Sequence, residues 1–434
     1  PYVWISNQAG NNGVLFGDLN VRAVKDKNDN IISDGRPSLG FTGNMDTYKP
    51  AEGSATRSDI AITDPDFKYP SLWKSNIAAD YKFGDGWVAT VELLYSKDIN
   101  AIYHDNIGLY RTEQFVNDGG AGNARPYYNG YYSDREGNQK AANHVVMLRN
   151  TSKGHSLYTT FQLQKNFVDG ILKGLYLNGS YSFGQSRGVT DGTSSVATSA
   201  WKYRAALDGN AEEVGYTAGS FDGRLLLSAS YTANWSKYAA TSFGLIYQRY
   251  RPFRYSYCYN GDANGDSQFS NDLMYIPANF DEVKDHLLPG DFDSQEDAWK
   301  AMNAFIEQDP YLSKHRGEYA ERNGAVAPFA NQLDLSVSHD IKIYQKNGRS
   351  HTLRFSFNIA NFLNLLNRNW GVVQTTVLGN QQYQFLTIPK GQGPSAANNY
   401  TLKYTMAKDL DETFKDNLND VSRWQMQFGI KYIF

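Results

Sequence analysis

The C-terminal segment of this chain alternates between apolar residues and polar residues or glycine from 423 to 432, and it ends on a large aromatic residue. An extended strand over 423–434 would carry six apolar side chains on one side, namely Trp424, Met426, Phe428, Ile430, Tyr432 and Phe434. Arg423, Gln425, Gln427, Gly429 and Lys431 fall on the other side, because successive side chains of a strand point to opposite faces. A soluble sheet can contain such a strand. A terminal strand that ends on an aromatic is nevertheless typical of one that closes a barrel in the bacterial outer membrane.

The composition agrees with half-apolar strands rather than with a membrane-spanning helix. Aromatic residues make up 14% of the 434 residues, while the mean hydropathy is −0.56. This combination suits a transmembrane barrel, in which every second strand residue faces lipid. No apolar run reaches the roughly 18 residues of a spanning helix, so a soluble protein stays an alternative. The net charge of −3 gives no indication of nucleic-acid binding, and the single Cys258 excludes an intramolecular disulfide.

Period-2 alternation recurs along the chain and predicts nine strands. The pattern is clearest in the fifth segment, where Leu227, Tyr231 and Trp235 lie on one face and Ser228, Ser230, Thr232 and Asn234 lie on the other. The nine segments are 73–83, 87–95, 157–167, 175–183, 224–235, 242–248, 333–337, 353–359 and 423–434. The sequence therefore predicts an all-β protein with antiparallel strands.

The connections between these segments are alternately short and long. Short turns are expected near 84–86, 168–174, 236–239 and 345–350, and long loops near 7–70, 98–150, 188–222, 259–329 and 364–421. Bacterial outer-membrane barrels have short periplasmic turns and long extracellular loops. Aromatic residues flank the short turns, as expected of a girdle at one membrane interface: Phe83, Trp87, Phe167, Trp235, Tyr238 and Tyr344. The layout predicts an antiparallel transmembrane β-barrel in the cell outer membrane of a Gram-negative bacterium.

Nine strands are few for a barrel with such long loops, and single-chain bacterial barrels have an even number of strands. An open sheet in lipid would leave unpaired backbone groups at both edges. We therefore expect 1–434 to be the C-terminal portion of a larger barrel, with further strands upstream of Pro1. The strand that starts near Ser71 and the strand that ends at Phe434 should pair with strands outside this sequence, and 1–6 should end one of these.

One long loop contains a cluster of oxygen-bearing side chains that resembles the first half of a calcium-binding loop. Asp262, Asn264 and Asp266 occupy alternate positions, with Asp272 following, and glycines allow tight curvature. The twelfth position, where such a loop has a bidentate glutamate, is Leu273. Calcium is therefore a possible cofactor. The alternative is a turn whose side chains hydrogen-bond their own backbone.

Two further loop segments contain side chains suited to packing or to contact with a partner. Residues 294–310 predict a short helix with Ser294 as N-cap, which packs on other loops or docks a partner. The tract 126–132 presents Tyr127, Tyr128, Tyr131 and Tyr132 for contact with a ligand or partner, or for packing between loops. No sequence pattern assembles a catalytic site, so we predict that the protein is not an enzyme.

Four stretches resemble the C-terminal half of a TonB-dependent outer-membrane transporter, of the Oar-like branch related to SusC-type proteins of Bacteroidota. They are VWISNQ (3–8), NGDANGDSQFSNDLMYIP (260–277), NIANFLNLLNRNWG (358–371) and SRWQMQFGIKYIF (422–434). The resemblance implies a 22-stranded barrel filled by an N-terminal plug that is not in this sequence. It implies coupling to the TonB complex through the absent N-terminal part, insertion by the barrel assembly machinery, and a possible surface lipoprotein partner.

The function expected from this resemblance is active uptake of a bulky substrate that the extracellular loops capture first. The rival expectation is a passive porin-like channel or a surface scaffold or adhesin barrel. Aromatic loops are compatible with peptides, glycans or protein partners as the substrate.

Overall fold

A computed structural model describes residues 24–25, 31–33, 59–116, 125–132, 144–192, 194–346, 349–378, 382–394, 402–404 and 412–434. These residues are mostly β-strand, in antiparallel-rich sheets, so the predicted all-β class is confirmed. The first stretch that carries the resemblance, 3–8, lies outside the described residues. No helix among them is long and apolar enough to cross a membrane.

The nine segments predicted from the sequence form nine long strands of one sheet. They are β1 Ser71–Phe83, β2 Trp87–Asn106, β3 His155–Asn166, β4 Leu175–Gly188, β5 Arg224–Ser236, β6 Ala239–Tyr250, β7 Ala330–Lys346, β8 Arg349–Ala360 and β9 Gln425–Ile433. Each strand pairs antiparallel with the next along the chain. The sheet is therefore a meander in sequence order.

The register of this sheet places apolar residues in continuous rows across the strands. One row joins Tyr231, Phe243, Val337, Phe357 and Phe428, which lie directly opposite one another on β5 to β9. Side chains of one row share a face, because the strand repeat is two residues. The apolar face of the sheet, as we call it, is formed by this row and the rows parallel to it.

The opposite face of the sheet, which we call the polar face, carries a complementary set of rows. Thr232 pairs with Ser242, and their hydroxyl oxygens lie 3.0 Å apart. Gln248 Nε2 donates to Gln332 Oε1 at 2.9 Å across β6 and β7. Polar side chains of neighbouring strands thus satisfy one another across this face, as expected of a wetted surface.

The described turns at 84–86, 167–174 and 237–238 lie at one end of the sheet, because consecutive strands are antiparallel. Aromatic side chains gather there: the rings of Phe83 and Trp87 stack at 6.4 Å between centroids, and Lys165 Nζ lies 5.2 Å from the centre of the Trp87 ring. Trp235 and Tyr238 are exposed at the turn between β5 and β6. The predicted clustering of aromatics at one end is therefore present in the described turns.

The described parts of the connections that follow β2, β4, β6 and β8 (within 107–154, 189–223, 251–329 and 361–424) lie at the other end and form what we call the loop cap. Its helices are α1 Ala197–Lys202, α2 Gln295–Gln308 and α3 Phe362–Leu366, with 3₁₀ turns at Phe280–Glu282, Leu312–Lys314 and Asp420–Ser422. Its strands are Leu109–Val116, Arg125–Tyr131, Val145–Thr151, Gly215–Tyr216, Arg254–Tyr257, Tyr275–Ile276, Leu287–Leu288, Glu318–Tyr319, Ala325–Val326, Gln374–Thr376, Gln382–Tyr383, Leu386–Thr387, Leu402–Tyr404 and Phe414–Asp416. Upstream of β1 lie Val24–Lys25, Ile31–Ser33 and Ile60–Thr63.

The loop cap has an aromatic core of its own, packed around α2. Phe305 of α2 stacks on Tyr383 at 6.1 Å and approaches Phe385 at 5.0 Å. The predicted N-cap is confirmed, since Ser294 Oγ accepts a hydrogen bond from Asp297 N at 3.1 Å. Because the apolar side chains of α2 are buried in this core, the structure supports the packing role for this helix rather than docking through its apolar face.

In the described part of the chain, each of the two outer strands of the meander pairs with one neighbouring long strand. β9 pairs with β8 and β1 pairs with β2, and no pairing joins β9 to β1 there. Pairing of these outer strands with others therefore stays a prediction, as does the total of 22 strands.

Candidate functional site

The acidic loop predicted to bind calcium uses its side chains to hold its own backbone. Asp262 Oδ1 accepts from Gly265 N at 2.6 Å, and Asp262 Oδ2 accepts from Ser267 N at 2.8 Å. Ser267 has a φ of 65°, which is the left-handed conformation of a tight turn. Among the described residues, no three His, Cys, Asp or Glu side chains are grouped to hold a metal ion. The geometry favours the turn alternative, and calcium binding stays a prediction.

Two carboxylates of this loop are completely buried. Asp266 lies beside Asp272 and Asp262, and burial, followed by the charges of these two neighbours, raises its pKa well above the usual value. Asp272 is paired with the buried guanidinium of Arg125, at 3.3 Å from Nη1 to Oδ1. Arg125 also lies over the rings of Tyr259 and Tyr319, at 5.6 and 5.5 Å from their centres. The loop therefore contains one compensated and one uncompensated buried carboxyl group.

This arrangement predicts that Asp266 makes the stability of the loop cap depend on pH. A carboxyl group whose folded pKa is raised contributes stability fully below its unfolded value of 3.8 and loses it as the pH rises through the raised value. The loss is at most about 1.4 kcal/mol per pH unit. The measurement is thermal unfolding in EDTA at a series of pH values. From pH 4 upward, Asp266→Asn should become progressively more stable than the wild type.

The same comparison with calcium tests the predicted metal site. Calcium should restore the stability of the wild type at neutral pH and leave Asp266→Asn unchanged, because a divalent cation would replace the missing counter-charge. Equal behaviour of both proteins with and without calcium would contradict calcium binding at this loop.

The tyrosine tract packs against the acidic loop. Tyr128 N donates to Asn264 O at 2.7 Å, and Tyr128 OH donates to Asp208 Oδ1 at 2.7 Å. The backbone contact requires Gly265, because a Cβ atom there would lie 2.1 Å from Tyr128 O. Tyr127, Tyr128 and Tyr131 are buried, whereas Tyr132 is half exposed beside Tyr110. Burial favours the packing alternative for Tyr127, Tyr128 and Tyr131, and contact of Tyr132 with a ligand or partner stays a prediction.

The six apolar residues of the terminal segment are all exposed on the apolar face. Phe428 is 75% exposed and Ile430 69%, although both have full strand neighbours on β8. The same holds for large side chains of β1, such as Ile77, which is 70% exposed. Within the described part of the chain, the face is covered only near the loop cap, where Ile359 of β8 is 4% exposed.

Where the polar face meets the loop cap, the structure has a cleft that the sequence did not predict. Its larger part, the sheet cleft, has a volume of about 630 Å³ and is lined in part by Tyr69, Leu72, Asp98, Asn100 and His104. Its smaller part, the arginine cavity, has a volume of about 310 Å³. The two parts share Thr190, Asp191 and Ala200 in their walls, so they adjoin.

The arginine cavity is built from loops that are distant in sequence. Arg204 comes from the connection after β4, Ser256, Arg322 and Asn323 from the connection after β6, and Gln382 from the connection after β8. Local sequence patterns carry no signal for such a site. The one available signal is the presence of arginines among the apolar residues of long loops. Whether these arginines are buried depends on tertiary structure, which the sequence pattern does not give.

Comparisons of the chain with protein-family models, with curated proteins and with solved structures found no match. The resemblance to TonB-dependent transporters therefore depends on the four sequence segments and on the strand layout. The role of the cleft has to be argued from its geometry.

Proposed function

We propose that this chain is part of a transmembrane β-barrel in the outer membrane of a Gram-negative bacterium and acts there as a TonB-dependent transporter or receptor. The observation that carries the proposal is the apolar face, which runs across nine strands and has exposed large side chains on most of them. An apolar surface of this size would be covered by another layer of protein in a soluble fold. Lipid covers it in a barrel, where outward-facing residues alternate with polar inward-facing ones.

In this proposal the sheet continues beyond its two described edges. β1 and β9 would each pair with further strands, because an open sheet edge in the hydrocarbon region leaves backbone groups without partners at a cost of several kcal/mol each. Coupling to the TonB complex and contact with a surface lipoprotein belong to the same proposal and rest on the resemblance.

The loop cap favours a receptor over an open channel. It has an ordered aromatic core and encloses a cleft against the polar face, as a ligand-binding cover requires. The rows of hydrogen-bonded polar side chains are the observation that favours the second candidate, a passive water-filled channel. Steady conductance of the protein in a planar bilayer would support the channel, and a non-conducting protein would support the receptor.

The membrane orientation is tested by the accessibility of four neighbouring positions of β9. Nitroxide labels at Met426 and Phe428 are expected to be accessible to oxygen and protected from a water-soluble nickel reagent, because these side chains would face lipid. Labels at Gln425 and Gln427 should show the reverse, since they lie on the polar face. Equal accessibility to the water-soluble reagent at all four positions in lipid vesicles would contradict the barrel proposal.

A further inference from the structure

The arginine cavity contains two guanidinium groups that are buried side by side. Arg204 is 5% exposed and Arg322 3%, and both donate to the same acceptor, Val189 O. Their other hydrogen-bond partners in the described residues are backbone carbonyl oxygens too: Gly209 and Ala211 for Arg204, and Gly188, Gly215 and Tyr216 for Arg322. Carbonyl dipoles hold these groups in place but do not cancel their charges.

The charged side chains that line the cavity wall sum to a positive charge. The wall contains Arg204 and Arg322 and one carboxylate, Asp191, which gives a net charge of 2 − 1 = +1. Burial and then the neighbouring Arg322 lower the pKa of Arg204 to about 10, with Glu213 and Asp208 acting in the opposite direction. The Nε of Arg204 is buried, and among the described residues it has no hydrogen-bond partner. Two like charges in a poorly solvated site are stabilised when an anion enters it.

Neutral polar groups beside the arginines supply directional contacts. Ser256 Oγ accepts from Asn323 N at 2.8 Å, which leaves its hydroxyl hydrogen for a further acceptor. Gln382 stands at the partly exposed side of the cavity, with its Nε2 at 3.3 Å from Tyr203 O. A hydroxyl and an amide next to two guanidinium groups form a set of donors suited to an oxyanion.

We propose that the arginine cavity binds an oxyanion, the carboxylate or phosphate of a small polar ligand, and that the rest of the ligand lies in the sheet cleft. The cavity volume of about 310 Å³ holds the anionic group and the atoms next to it, and the sheet cleft adds about 630 Å³ with both polar and apolar walls. That this ligand is a transported substrate rests on the proposed uptake function. Anion binding itself is a property of the purified protein.

The test is equilibrium dialysis of the purified full chain in detergent with labelled phosphate and, separately, with labelled acetate at constant ionic strength. Asp191→Asn removes the one carboxylate of the wall and should tighten binding about three- to tenfold. Gln382→Glu adds a negative charge at the cavity entrance and should weaken it by about tenfold or more. Both variants spare the buried arginines, and the tighter binding of the first cannot arise from misfolding.

Matched controls are exposed residues outside the cavity. Asp293→Asn and Gln114→Glu repeat the two charge changes in other loops and should leave both dissociation constants unchanged. Binding of phosphate alone assigns a phosphate-bearing ligand, and binding of acetate alone a carboxylate. Absence of binding of either anion at tens of millimolar would overturn the proposal, and so would binding that Asp191→Asn and Gln382→Glu leave unchanged.

These outcomes are independent of the membrane proposal. Anion binding with the expected variant effects would stand even if the labels on β9 proved equally accessible to water. Conversely, if the labels on β9 are protected by lipid but the protein binds neither anion, only the proposal of anion binding in the arginine cavity is refuted.

Discussion

Replacing Phe428 with arginine is expected to lower the free energy of unfolding in phospholipid vesicles by about 2–4 kcal/mol. Phe428 lies in the middle of β9, opposite Phe357, and is 75% exposed on the apolar face. If lipid covers this face, the variant has to place a guanidinium group in hydrocarbon. Denaturant unfolding of the reconstituted protein, followed by tryptophan fluorescence, measures the loss.

The neighbouring residue provides the control. Gln427 lies on the polar face opposite Asn358, so Gln427→Arg should change the free energy of unfolding by no more than about 0.5 kcal/mol. On a water-exposed sheet, arginine would be tolerated equally well at both positions. A small effect of Phe428→Arg, similar to that of Gln427→Arg, would therefore contradict lipid exposure of the apolar face.

The long strands could be predicted from the sequence because their two faces have different environments. A strand such as β5 alternates apolar and polar residues from Leu227 to Trp235, and no helix repeat reproduces this period. The α2 helix was also predictable, since its cap and its apolar positions are local in sequence. The elements that could be predicted are those whose determinants lie within one segment.

The strand ends and the loop cap could not be predicted in this way. β2 runs on to Asn106, beyond the alternating segment 87–95, because 101–106 pairs with Val145–Thr151 of a later loop. Many strands of the loop cap have two to four residues, too few for a period to be read. The burial of Tyr128 and of Arg204 depends on loops that approach from elsewhere in the chain, so single-segment patterns could not distinguish contact residues from packing residues.

The second large effect is expected inside the loop cap. Arg125→Met should destabilise the cap by about 3–5 kcal/mol, because it removes the guanidinium that pairs with the buried Asp272, which lies next to Asp266. Hydrogen exchange of peptides covering 125–131 and 260–273, followed by mass spectrometry, measures the loss where it arises. Arg111→Met is the matched control. Arg111 pairs with Asp208 at 3.1 Å but its side chain is 53% exposed, and the loss should not exceed about 1 kcal/mol.

A second substitution separates the lost ion pair from lost packing. In Arg125→Met with Asp272→Asn, no charge remains uncompensated at this position, and the asparagine oxygen can still accept the hydrogen bond from Ala263 N that Asp272 Oδ2 accepts at 2.7 Å. The double variant should therefore be more stable than Arg125→Met alone by about 1–3 kcal/mol. If the double variant is no more stable than Arg125→Met, the arginine acts through its contacts with Tyr259 and Tyr319 rather than through its charge. The acidic loop would then depend on aromatic packing to stay folded.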